Sequence, residues 1–200
     1  MNNPVLLVVL IAASLYVGKL WRDDLRSGQV GASALPGATK APPRALLISV
    51  LGALALLAVE TMGEISLGLA AGQSTMTWLF ALYSITGAPM IEELVFRGWL
   101  VVENRGKAMM WSAAAGASLV FAALHPFLWR WDDAGFALTI NAKGWFSTVV
   151  VFATSLWLYV VRLAPWNPKR SLLPCVAGHA AKNLGVIVVK AATGFMGAPW

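Results

Sequence analysis

The sequence is poor in charge. Asp, Glu, Lys and Arg together make 12% of its 200 residues, where a soluble domain carries roughly 25%. It is poorer still in cysteine and histidine. One cysteine, Cys175, excludes an intrachain disulfide and any CxxC metal site. Only two histidines occur, His125 and His179, and there is no HExxH pair. What fills the chain instead is apolar: 58% hydrophobic residues and a mean hydropathy of +0.70. That balance indicates an integral membrane protein. The net charge of +6 does not indicate nucleic acid, because the bases sit at the ends of apolar runs and form no basic stripe interleaved with aromatics.

Six apolar segments, at about 4–20, 45–60, 76–102, 108–127, 145–162 and 171–191, each approach the length a membrane-spanning helix needs. Lipid offers no partner to backbone N–H and C=O groups, and the runs are continuous rather than alternating, so helices are expected. The fold class is therefore all-α: a polytopic membrane helix bundle of about six transmembrane helices. Residues 1–44 read as an N-terminal anchor helix with a polar Gly/Pro/Ser-containing linker, and 45–200 as the helical domain. The first positive charge, Lys19, follows the first apolar run, which predicts an uncleaved anchor with its N-terminus outside. With that orientation the loops assigned inside hold ten Lys and Arg against three outside, a positive-inside bias. Gly87 and Pro89 predict a break before Met90. Residues 126–144 read as an interfacial loop. Trp21, Trp111, Trp129, Trp131, Trp145 and Trp166 lie near expected helix ends, as an aromatic belt would.

Against that background a few polar residues stand out, since an ionisable group inside a bilayer is costly unless paired or functional. They are Glu92, Glu93, Arg97, His125, His179, Lys182 and Asn183. Glu93 and Arg97 are four apart and can pair across one helical turn. Glu92 is rotated by about 100° and points elsewhere. His179 and Asn183 share one helix face, as do Phe121 and His125. Each has a structural reading: an ion pair for Glu93 and Arg97, an interhelical hydrogen bond for a histidine or Asn183, and a snorkelling or interhelical amine for Lys182. Glu60 and Glu64 read as near-interface acids. Cys175, four before His179, reads as an inert buried thiol rather than a nucleophile. Three separate apolar segments nonetheless bring the groups that amide hydrolysis uses.

These residues carry a resemblance. EELVFRG at 92–98 resembles the EExxxR motif of the CAAX protease and bacteriocin-processing family of intramembrane proteases. FAALH at 121–125 is similar to its FxxxH motif, and HAAKN at 179–183 to its HxxxN motif. The resemblance covers about 45–192. It implies an intramembrane endopeptidase in which Glu92 and His125 activate a water, His179 and Asn183 stabilise the oxyanion, and Glu93, Arg97 and Phe121 support the site. The substrate implied is a membrane-anchored or lipidated protein or peptide, met in the lipid bilayer. No cofactor is favoured. Zinc is the alternative, with Glu92, His125 and His179 as its ligands and a water in the fourth position. The compact chain suggests a bacterial cytoplasmic membrane. The competing functions are a proton- or ion-coupled transporter, since Glu and His in a bundle also make proton relays, and a non-catalytic immunity or scaffold protein of the same fold.

Overall fold

The computed structural model describes residues 3–28 and 33–200. Helix α1 (Pro4–Ser27) starts where Asn3 accepts hydrogen bonds from the Val5 and Leu6 amides, with Pro4 in the first turn. It runs past the apolar segment because Lys19 and Asp23 pair at i,i+4, and it stops at Gly28 in the left-handed conformation. Residues 33–42 form a loop that is tied down, not a free linker. Trp21 donates its indole N–H to Pro36 O and Asp24 accepts from the Leu35 amide. Trp21 is thus a core residue at 5% exposure rather than part of an interfacial belt.

Helix α2 (Pro43–Ser66) follows, then a 3-10 turn at Ala70–Gly72. The third apolar segment breaks as expected: α3 (Trp78–Thr86) ends at Gly87, and α4 (Ala88–Glu93) opens with Pro89 in its first turn. Helix α4 passes directly into a π-helical turn, Leu94–Trp99. Helices α5 (Lys107–Leu124), α6 (Ala142–Leu163) and α7 (Leu173–Ala192) complete the bundle. The loop expected between α5 and α6 contains a two-stranded antiparallel hairpin, β1 (Trp129–Asp132) and β2 (Gly135–Leu138), with Trp131 opposite Phe136. Period-2 alternation over four residues is too short to be separated from a loop in the sequence.

Among the described residues five helical stretches are long and apolar enough to cross a membrane: α1, α2, the α3–α4 unit through Trp99, α5 and α6. Helix α7 is 20 residues long but carries His179, Lys182, Asn183 and Lys190. Contacts between loops show that it crosses too. At one face of the bundle Thr39 Oγ1 donates to Lys169 O, the Leu172 amide donates to Gly37 O, and Arg170 pairs with Glu103 at 2.7 Å. At the other, the Met76 amide donates to Phe195 O, Lys190 Nζ donates to Ser74 O, and Lys143 pairs with Glu64. The chain enters α7 from the first face and leaves it at the second. Helix α7 packs most closely on α2 and also touches α3, α4 and α6. That central position explains how it tolerates its polar residues, which face protein rather than lipid.

Candidate active site

The acids come first in the chain and lie at its centre in space. Glu93 Oε1 accepts from Arg97 Nη1 at 3.1 Å, and both side chains are wholly buried. Arg97 Nη2 donates to Ser155 Oγ at 2.6 Å and Ser155 O at 3.0 Å, and Ser155 Oγ donates onward to Ser118 Oγ. The guanidinium also lies 4.7 Å from the Phe121 ring and 5.0 Å from the Tyr159 ring, a cation–π setting that suits a desolvated arginine. A buried cation is thereby matched to a carboxylate, a carbonyl, a hydroxyl and two ring faces, as the cost of burying charge requires.

The π turn serves this arrangement. Widening one turn leaves carbonyls to be satisfied from outside. Tyr159 donates its hydroxyl to Phe96 O at 2.6 Å and to Leu100 O at 3.2 Å, and Arg162 Nε donates to Arg97 O at 2.8 Å. Helix α6 therefore clamps the end of the segment that carries the acids. Ser118, Ser155, Tyr159 and Arg162 were not singled out in the sequence. The signal was there: Ser155, Tyr159 and Arg162 sit at i, i+4 and i+7, a polar stripe on an otherwise apolar helix.

His179 of α7 meets both acids. Its Nδ1 lies 2.8 Å from Glu93 Oε1 and its Nε2 3.8 Å from Glu92 Oε2. Because a carboxylate accepts, Nδ1 carries the hydrogen, and in the neutral ring Nε2 carries the lone pair. Glu92 is the freer acid. Its side chain is 27% exposed, and among the described residues its Oε2 has no hydrogen-bond partner. His125, which follows the last residue of α5, has its Nδ1 2.8 Å from Phe121 O. Its Nε2 is accordingly the acceptor in the neutral form. Phe121 is the wall between the groups, with its ring 4.8 Å from His125, 6.4 Å from His179 and 4.9 Å from Phe96. The charges acting on His125 are those of Glu92, His179 and Lys182, and Glu92 also acts on Tyr83 of α3.

The remaining polar residues divide. Asn183 donates from Nδ2 to Ser84 O at 2.7 Å, an interhelical bond that uses one of its two amide hydrogens. Lys182 does not snorkel. It pairs with Glu60 of α2 at 2.8 Å. Glu64 pairs with Lys143 and accepts from Gln73. Cys175 donates its thiol to Leu158 O and is fully buried, so it has no access to a substrate. Among the described residues no group of three or more His, Cys, Asp or Glu is placed to hold a metal ion.

A family model, type II CAAX prenyl endopeptidase Rce1-like, matches residues 74–185, more than half of the chain. The chain belongs to the Rce1-like family. The match spans Glu92, Glu93, Arg97, Phe121, His125, His179 and Asn183, so the residues that meet in space lie within the part of the chain that the family shares. At the level of the family this makes the chain a CAAX-type endopeptidase and an integral membrane protein. Comparison with curated proteins and with solved structures finds no match.

Proposed function

We propose that this Rce1-like chain hydrolyses a peptide bond of a membrane-associated substrate with water activated by Glu92 and His125, without a metal. The observation that carries this reading is the difference between two neighbouring acids. Each keeps an Oε2 without a hydrogen bond, but Glu93 is wholly buried with its Oε1 spent on Arg97 and His179, whereas Glu92 is 27% exposed and meets only the His179 Nε2 at 3.8 Å. A general base needs an uncommitted carboxylate within reach of the proton it removes.

In this mechanism a water sits between Glu92 and the Nε2 of His125. Glu92 takes one proton as the water oxygen attacks the carbonyl carbon. The tetrahedral oxyanion needs donors fixed in advance. Asn183 has one amide hydrogen left after its bond to Ser84 O. His179 would supply a second donor from Nε2 as the imidazolium, with its Nδ1 held by Glu93. Collapse of the intermediate breaks the C–N bond, and the proton held by Glu92 or His125 goes to the leaving amine. Arg97, gripped by Ser155 and Phe121, pairs with Glu93 and keeps the π turn in register.

The test uses purified protein in detergent and in liposomes, with quenched peptides that do or do not carry a prenyl group. Glu92→Gln is expected to lower kcat by about 10²–10⁴-fold, with little change in thermal stability because the freed oxygen has no bond to lose. His125→Ala is expected to lose activity with it. Cleavage that survives in Glu92→Gln would overturn the assignment. Loss of wild-type activity with a chelator, restored by zinc, would overturn its metal-free form.

A further inference from the structure

The hairpin between α5 and α6 presents one apolar face to its surroundings. The register pairs Trp129 with Leu138 and Trp131 with Phe136, so all four side chains stand on the same side of the two strands. Trp131 is 75% exposed, Phe136 58% and Leu138 65%. The opposite face carries Arg130 and Asp132, which pair with each other at 3.1 Å. Large apolar side chains gathered on one face of a two-stranded hairpin, with ions on the other, form an amphipathic surface. A hairpin this small has little stability of its own without something to cover that face.

The fold says what covers it. The hairpin joins the ends of two membrane-crossing helices, α5 and α6, so it emerges at the level of the lipid headgroups. Exposed apolar side chains flank it on those same helices, Leu124 at the end of α5 and Trp145 near the start of α6. It is also fixed rather than hanging. The Trp129 indole donates to Ala123 O, an otherwise unpaired carbonyl of the last turn of α5, and the Thr139 amide donates to Leu128 O. Phe127, at the base of the hairpin, stacks on the His125 ring with 17° between planes.

We propose that this hairpin is a bilayer-surface anchor: its Trp131–Phe136–Leu138 face lies in the boundary between headgroups and acyl chains, and its Arg130–Asp132 face lies toward water. Aromatic and aliphatic side chains with a charged reverse side are what that boundary accepts. Because the anchor begins at the turn that holds His125, the lipid surface and the candidate base share one short, hydrogen-bonded segment. The inference does not depend on the proposed chemistry, and its test reads no activity.

The experiment places single cysteines at Phe136, Leu138 or Arg130 in a Cys175→Ala background and labels each with an environment-sensitive nitrobenzoxadiazole dye. All three positions are exposed or on the hairpin surface, so the labels do not enter the core. The full chain is reconstituted in phosphatidylcholine–phosphatidylglycerol vesicles with or without lipids that carry a nitroxide near the start of the acyl chain. The dyes at 136 and 138 are expected to be blue-shifted and quenched several-fold more than the dye at 130. A nitroxide placed deep in the acyl chain is expected to quench less than the shallow one. Equal quenching at all three sites, or none at 136 and 138, overturns the proposal. Efficient disulfide cross-linking between 136 positions of two chains, with no lipid quenching, overturns it in favour of a second copy on that face.

Discussion

Arg97 has no route to solvent, and every group around it is placed on that account. It is among the largest fully buried side chains, held by Glu93, Ser155 and the faces of Phe121 and Tyr159. Removing the cation leaves Glu93 buried with only His179 for support, so Arg97→Met is expected to destabilise the protein by about 3–5 kcal/mol. Arg97→Lys keeps the charge but cannot reach Glu93 and both Ser155 oxygens from one planar fork, so it is expected to fall between the two. Unfolding followed by circular dichroism in a denaturing detergent titration reads both. A loss in Arg97→Met no larger than that of an exposed surface substitution would show that the pair does not hold α4 in place. This residue was legible: four-residue spacing between Glu93 and Arg97 already implied the ion pair. Its partner Ser155 was readable only as one member of the polar stripe with Tyr159 and Arg162, and Ser118 was not readable at all, because a serine inside a spanning helix usually satisfies itself on its own backbone, as Ser14 does with Leu10 O.

At the scale of elements, α7 has to come very close to α2 for His179 to meet the glutamates. A Cβ added to Gly178 would stand 2.3 Å from Ser49 Oγ and 3.1 Å from Ser49 O, whereas one added to Gly185 would meet the movable end of Leu57. Small residues let helix backbones approach in a membrane, where packing replaces the hydrophobic effect. Gly178→Ala is therefore expected to cost about 1–3 kcal/mol and to lower cleavage, because it pushes back the turn that bears His179. Gly185→Ala is expected to cost clearly less, since Leu57 can change rotamer. Melting temperature and initial rate, measured for both variants together, check the ranking, and equal losses would count against it. Element existence was readable because each apolar run was continuous and long enough to span. The π turn at Leu94–Trp99 was not, since it is stabilised by Tyr159 and Arg162 from another helix, and their stripe on α6 does not say which backbone it will serve. The hairpin was missed for a related reason: four alternating residues on either side of Asp133 and Ala134 carry too weak a period.

For the whole molecule, the loops sort into two faces joined by six crossings, and the side assignments can be checked without reference to activity. Residues 33–42, 100–106 and 164–172 meet or neighbour one another on one face, and residues 66–77 and 193–200 on the other, which the start of α6 joins through Lys143 and Glu64. Arg162 and Lys190, one from each side of the charge comparison, are buried in protein and drop out of it, which leaves the bias standing. The cations that remain on the second face, Lys143 and Arg130, are paired with Glu64 and Asp132, while Arg22, Arg26, Lys40, Arg44, Arg105, Lys107 and Lys169 crowd the first. Near an anionic inner leaflet each such base is worth about 1 kcal/mol, so the first face is expected inside and the N-terminus outside. In a Cys175→Ala background, cysteines at Lys40, Arg105 and Lys169 are therefore expected to react with a membrane-impermeant maleimide only in inside-out vesicles. Cysteines at Ala71, Arg130 and Ala198 are expected to react only in right-side-out ones. If both sets sort together but with sides exchanged, the orientation is wrong and the fold stands. If members of one set react from opposite sides, the six-crossing arrangement fails, and with it the approach of α7 to α4 that brings His179 to Glu92 and Glu93.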